Sequence, residues 1–135
     1  WYSSRKEDHP WRQMWNKTAD PYYVWVSEVM LQQTLIKVVI PKYVNFIARF
    51  PSVQSLAAAT EEDLRQAVAG MGYYRRFRLM QNAAKKLTAD SRGAKIQWPK
   101  TIAGLQSLPG IGPYTAAAIG SIYWPALFTH CKNPF

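Results

Sequence analysis

The chain has 135 residues, enough for one domain with a sizeable core. It is 48% hydrophobic and 14% aromatic, which excludes a disordered chain, and no apolar run approaches the roughly 20 residues of a membrane span. The formal net charge of +9, with a pI near 9.9, favours a polyanionic partner, most simply nucleic acid, although many basic domains bind none.

The opening Trp1-Tyr2-Ser3-Ser4-Arg5-Lys6 has no signal-peptide core, so nothing points to secretion. Cys131 is the single cysteine, which rules out an internal disulfide or a multi-cysteine metal site. The first residue is not methionine, and the chain reads as a fragment.

In chain order the segments read as helices with short connections. Asp20-Pro21 places an N-cap before a proline at the first helical position and predicts a helix of roughly Pro21–Val39. Pro41 starts the next, to about Phe50. Ser52 caps a short helix through Ala59. Thr60-Glu61-Glu62-Asp63 resembles a capping box, and its helix ends at Gly70 as the C′ residue. Tyr73 to about Thr88 is helical, with Lys85 and Lys86 near its C-terminal end. Thr101 caps a short helix that enters a glycine hairpin, and Pro113–Tyr123 leaves it. No segment alternates convincingly with period two, so the domain is expected to be all-α.

Two features carry chemistry. In Leu108-Pro109-Gly110-Ile111-Gly112-Pro113-Tyr114, two glycines can take positive φ at little cost. A hairpin of this kind feeding a helix aims backbone N–H groups outward, which suits a phosphate. By itself the string is equally an ordinary interhelical loop. The second feature is Glu28, on a helix apolar almost all round (Val24 to Ile36), which marks a buried helix. At about 100° per residue Glu28 shares its face with Val24, Leu31 and Leu35. Desolvation raises a carboxyl pKa, as a general acid near neutral pH requires. The plainer alternative is that Glu28 reaches solvent or pairs with a buried Arg or Lys.

Ser27-Glu28-Val29-Met30-Leu31-Gln32-Gln33-Thr34, then Gly70-Met71-Gly72-Tyr73-Tyr74, then the hairpin, follow the order and spacing of adenine DNA glycosylases. Pro10-Trp11-Arg12 and Asp20-Pro21-Tyr22 match as well. From about Trp1 to Ile122 the chain resembles this family, the MutY family of the helix-hairpin-helix (HhH-GPD) glycosylase superfamily. The eight-residue string from Ser27 is highly specific within that superfamily.

The resemblance implies the six-helix-barrel part of the helix-hairpin-helix glycosylase fold, incomplete and lacking the iron–sulfur cluster domain. It divides the chain into the remnant of an N-terminal helix and lead-in at 1–20, a glycosylase domain at 21–122 with its hairpin at 108–113, and a tail at 123–135 unlike the family. It implies a monofunctional N-glycosylase of base excision repair that acts on adenine opposite 8-oxoguanine or guanine. The implied partner is double-stranded DNA with adenine mispairs, bound by a monomer away from any membrane. The implied location is a bacterial cytoplasm and nucleoid, or a nucleus or mitochondrion if the source is eukaryotic.

Residue by residue, the resemblance makes Glu28 the general acid that protonates adenine N7, and Tyr114 a residue that shapes the catalytic centre. Arg12 lies near the adenine pocket. Gln33 and Tyr73 wedge into the duplex around the lesion, with Met71 at another wedge position, and Gln32 and Thr34 belong to the same DNA-binding string. Gly110 and Gly112 hold a backbone phosphate. On the residues alone, Tyr73 and Tyr74 read equally as core aromatics and Gln32 and Gln33 as buried amides. Arg75, Arg76 and Arg78 read as a solvated face, or as phosphate contacts behind a wedge. The bifunctional endonuclease III-like enzymes place a lysine where this chain has Tyr114, so no Schiff-base lyase step is expected.

The chain departs from the family at its end. The family has a catalytic aspartate shortly after the hairpin helix in an Asp-Gly-Asn context, whereas no Asp or Glu follows Asp90 here. The four cysteines of the family's 4Fe–4S cluster are missing, as is the domain that recognises 8-oxoguanine. The expectation is therefore no cofactor or metal in this chain and weak or absent base release, with a non-catalytic DNA-binding remnant as the alternative.

Overall fold

The computed structural model describes residues 9–18, 20–92 and 95–123. The opening residues lie outside this set, as does all of the expected tail at 123–135 except Tyr123, Cys131 included. Among the described residues there are eight helices and no strand. They are α1 (Pro10–Thr18), α2 (Pro21–Leu31), α3 (Ile36–Arg49), α4 (Val53–Ala58), α5 (Glu61–Ala67), α6 (Arg75–Asp90), α7 (Ile102–Gln106) and α8 (Pro113–Tyr123).

The centre of the fold is α2, in which every residue from Pro21 to Met30 is buried. Its apolar circumference leaves no face for water, so it packs against α1, α3, α6 and α8. Asp20 starts it, the carboxylate accepting the Tyr22 N–H at 3.0 Å. Tyrosines tie its first turn to the next helix. Tyr22 Oη donates to the Phe50 carbonyl at 2.7 Å, and Tyr43 Oη donates to the Tyr23 carbonyl at 2.9 Å. Both phenols are buried, which pushes their pKa upward. Trp11 of α1 closes the same corner with its ring edge-on to Tyr43 at 5.2 Å.

Three short helices are capped as their sequences predict. Ser52 closes a reciprocal capping box with Ser55 on α4. Thr60 accepts the Asp63 N–H at 3.1 Å on α5, and Thr101 accepts the Gly104 N–H at 2.9 Å on α7. The α6 helix then runs along α4 and caps it from the side. Buried Gln81 donates from Nε2 to the carbonyls of Ala59 at 2.7 Å and Leu56 at 3.3 Å at the C-terminal end of α4, where Leu56 also accepts the Ala59 N–H at 3.2 Å.

Several boundaries differ from the sequence expectation. The helix expected over Pro21–Val39 stops at Leu31 and restarts at Ile36. The reason is a turn in which Gln33 takes a left-handed φ of 57°, which ends helical hydrogen bonding. Pro41 does not start the next helix but lies inside it. The carbonyl of Lys37, which loses its partner to the proline, sits on an exposed side of α3. The α5 helix reaches only Ala67, with Val68 as its C-cap, so Gly70 (φ 83°) lies in the connection beyond it. Tyr73 has a φ of 49° and is excluded from α6, which begins at Arg75 and ends at Asp90. Within residues 1–20, where the remnant of an N-terminal helix and a lead-in were expected, Pro10–Thr18 forms α1.

Candidate nucleic-acid interface and active site

Glu28 sits in the last turn but one of α2, only 9% exposed. The preceding Ser27 satisfies itself locally, its hydroxyl donating to the Val24 carbonyl at 2.6 Å. The α8 helix packs on α2 and brings Tyr114 to the same place. The phenol of Tyr114 is held above its usual pKa, first by partial burial and then by the negative charge of Glu28. Tyr114 is also 55% exposed, so one side of the pair faces open solvent. The arrangement is a buried carboxylate reached from outside past a phenol. Arg12, half-buried on α1, belongs to a helix packed on α2 and α3.

The hairpin is built from two glycines with different duties. Gly110 is left-handed (φ 76°), and a Cβ there would stand 2.8 Å from Leu79 Cβ of α6. Its missing side chain therefore allows close approach to α6. Of the two glycines that can take positive φ, only Gly110 does, and Gly112 does not. Its carbonyl accepts the Ala116 N–H at 3.0 Å and so begins α8. A Cβ on Gly112 would meet nothing within 4 Å, so bare backbone at the start of an 11-residue helix faces outward. Leu108, Ile111, Thr115, Ala116, Ala118 and Ile119 are buried and anchor the hairpin from beneath.

A cleft joins the hairpin side to the end of α2. Gln32, Gln33, Tyr73, Arg75, Arg76 and Leu79 line it, at a volume of about 240 Å³. Gln32 and Gln33 are exposed, not buried amides, and Tyr73 is 66% exposed, not a core aromatic. Both Gln33 and Tyr73 stand on left-handed backbone, which lifts them from helical surroundings and aims them into one opening. Met71 does not join them. It is 7% exposed and packs in the core, so the expected third wedge is corrected to a core residue that anchors the Gly70–Gly72 bend.

The arginines divide. Arg76 turns inward, its guanidinium donating to the carbonyls of Val29 at 3.2 Å, Met30 at 3.3 Å and Gln32, and to Thr34 Oγ1 at 2.9 Å. This is neither a solvated face nor a phosphate contact, and nothing in the sequence near Arg76 signals it. Arg78 pairs with Glu61 at 3.3 Å and, like Arg65, lies over the Tyr74 ring. Arg75 is exposed at the rim of the cleft.

No group of three His, Cys, Asp or Glu side chains suited to a metal ion occurs among the described residues. A 4Fe–4S cluster takes four thiolates, and the chain has one cysteine, so its residues do not fit that group.

Residues 26–131 match the model of the HhH-GPD superfamily base excision DNA repair protein. That match runs past Ile122, where the family likeness was expected to end. Over 127 residues and 90% of its length, the chain is 43% identical to the adenine DNA glycosylase of Mus musculus and 44% identical to that of Homo sapiens. It is 39% identical over 123 residues, 88% of its length, to the adenine DNA glycosylase of Buchnera aphidicola subsp. Schizaphis graminum. It spans 24%, 23% and 35% of those three relatives, respectively. Its fold resembles a thermostable thymine-DNA glycosylase with a TM-score of 0.74 at 22% identity, covering 92% of this chain and 54% of that one. It also resembles endonuclease III in a non-covalent DNA complex, with a TM-score of 0.67 at 21% identity over 85% of this chain and 57% of that one.

Proposed function

The chain belongs to the HhH-GPD superfamily of base excision DNA repair proteins, on its adenine DNA glycosylase branch, and from that premise we propose that it releases adenine mispaired with 8-oxoguanine or guanine. The observation that carries this reading is the buried Glu28 beside the outward-facing Tyr114. A glycosidic bond inside the stack is out of reach, so the adenine must be turned out of the duplex. Gln33 and Tyr73 enter the gap it leaves, and their contacts offset the cost of unstacking. The bare backbone at Gly112 and the start of α8 takes a phosphate beside the extruded nucleotide.

Once the base lies against α2, a protonated Glu28 gives its proton to adenine N7. The purine becomes a better leaving group, the bond from C1′ to the base breaks, and water adds to the sugar carbon. Tyr114 is neutral near pH 7, as an ordinary tyrosine is, and the burial that raises its pKa keeps it so when Glu28 is protonated. It can donate a hydrogen bond, but it has no amine with which to form a Schiff base, so the reaction stops at the abasic site. We propose that the chain acts as a monomer on genomic DNA, in a bacterial nucleoid or in the nucleus or mitochondrion of a eukaryotic cell.

A second reading has its own observation. No Asp or Glu occurs in residues 91–135, so α8 contributes no second carboxylate to a developing sugar cation. On this reading the chain binds and extrudes without hydrolysis. Single-turnover adenine release from a duplex with one 8-oxoguanine:adenine pair separates the two. Release that disappears in Glu28→Gln, by roughly 100- to 10,000-fold, supports catalysis through Glu28. Binding without release from either protein leaves the second reading.

A further inference from the structure

We propose that Arg76 is a positioning residue that locks the lesion-facing turn Gln32–Thr34 to the end of the Glu28 helix, so that the wedge and the acid move as one unit. The inference rests on the glycosylase reading above. Its ground is a set of hydrogen bonds from one side chain of α6 to a segment more than forty residues away. The Arg76 fork reaches the carbonyls of Val29, Met30 and Gln32 with Nη1 and the Thr34 hydroxyl with Nη2.

Those carbonyls lie at the C-terminal end of α2, where helical hydrogen bonding runs out (Val29 still accepts the Gln32 N–H at 3.3 Å) and where the negative end of the dipole sits. A guanidinium is suited to both, because it is charged, planar and rich in fixed donors. The partners flank Gln33, the one residue of the turn held at positive φ. Without the fork the turn keeps only the long bond from the Thr34 hydroxyl to the Gln32 carbonyl at 3.4 Å, and glutamine has no preference for φ near 57°.

The same arginine begins the second link. It stands three residues after Tyr73, whose carbonyl accepts the Arg76 N–H at 3.2 Å. The backbone of Arg76 thus fixes the Tyr73 turn while its side chain fixes the Gln33 turn. The two cleft-lining residues and the helix that carries Glu28 converge on it. The guanidinium also lies 4.6 Å over the Phe77 ring, which keeps it folded back against α6.

The test uses a duplex with 2-aminopurine opposite 8-oxoguanine, whose fluorescence reports extrusion without any bond being cut. Far-UV circular dichroism and affinity for an unmodified duplex are measured on the same proteins. Arg76→Met is expected to remain helical, bind unmodified duplex within about twofold, and lose extrusion by about tenfold or more, the scale of one charge-assisted hydrogen bond. Arg76→Lys, which can serve one or two carbonyls but not the full fork, is expected to fall between Met and wild type. Extrusion at the wild-type level in folded Arg76→Met overturns the proposal. So does a loss of extrusion that only tracks a loss of duplex binding. If Arg76→Met does not fold, Arg76→Lys decides alone, since extrusion equal to wild type means that the fork positions nothing. A wild-type chain that extrudes no base defeats the glycosylase reading and this inference together, whereas wild-type extrusion untouched in the variants defeats only this inference.

Discussion

Glu28 of α2 lies near enough to Tyr114 of α8, where the two helices pack, for its charge to raise the proton affinity of the phenol. They come from helices 86 residues apart in the chain if counted between the two side chains. Burial contributes the larger part of the shift on Tyr114, and Glu28 the rest.

That division predicts a pH titration. Ionised Glu28 disfavours the phenolate, so removing its charge must lower the Tyr114 pKa. In Glu28→Gln the Tyr114 pKa is expected to fall toward the ordinary tyrosine value of about 10 but to stay above it, because burial remains. Tyrosine ring-carbon NMR on labelled protein follows the residue directly, with Tyr114→Phe to assign its signal. An unchanged Tyr114 titration in Glu28→Gln would mean that the two groups do not interact.

Much of the fold was legible because the signals were local. Ser52, Thr60 and Thr101 each cap the helix that follows, and Pro113 after Gly112 marks the start of α8. The break between α2 and α3 was not legible, since Leu31 to Ile36 contains neither glycine nor proline. Its terminator is a guanidinium 44 residues away, which no reading of a local window could supply. Pro41 misled for the opposite reason, because a strong local signal was overridden by packing of Val39, Tyr43 and Phe46 on the core side of α3. At the site, the Ser27–Thr34 string pointed to Glu28 and the glutamines, whereas the burial of Met71 depends on where the Gly70–Gly72 bend sends the chain.

The two hairpin glycines should respond differently to the same substitution. Gly110→Ala adds a Cβ on left-handed backbone and drives it against Leu79, so it is expected to lose about 1–3 kcal/mol in urea denaturation. Gly112→Ala meets open space at ordinary φ and should stay within about 0.5 kcal/mol of wild type. Its effect should appear instead as weaker duplex binding, because the added methyl stands where backbone would approach a phosphate. Equal stability losses at both positions would contradict the distinct roles given to them.

Gln81 offers a test of the scaffold that leaves the site untouched. Its amide caps α4 through the carbonyls of Leu56 and Ala59 in a buried setting. Gln81→Leu keeps the approximate volume but leaves those carbonyls without the donor. The expected cost is about 1–3 kcal/mol, read as a lower urea midpoint with an unchanged slope. A neutral result would mean that water replaces the amide at no net cost.

Salt dependence should separate an arginine on the rim of the cleft from those engaged within the fold. Arg65 pairs with Glu61 at 3.2 Å, a carboxylate it shares with Arg78, and lies 4.6 Å over the Tyr74 ring, so its side chain is engaged within the protein. Arg75 stands exposed on the rim of the cleft that holds Gln33 and Tyr73. A side chain that neutralises one phosphate releases its counterions, and its loss lowers the log–log salt slope by about 1. Arg75→Ala is therefore expected to weaken duplex binding and flatten that slope by about one, whereas Arg65→Ala leaves the slope unchanged. Binding isotherms between about 50 and 200 mM salt suffice to resolve the difference. If the two substitutions flatten the slope alike, the DNA covers the α5 side of Tyr74 as well as the cleft. If neither does, the backbone runs elsewhere, and the cleft alone does not define the DNA path.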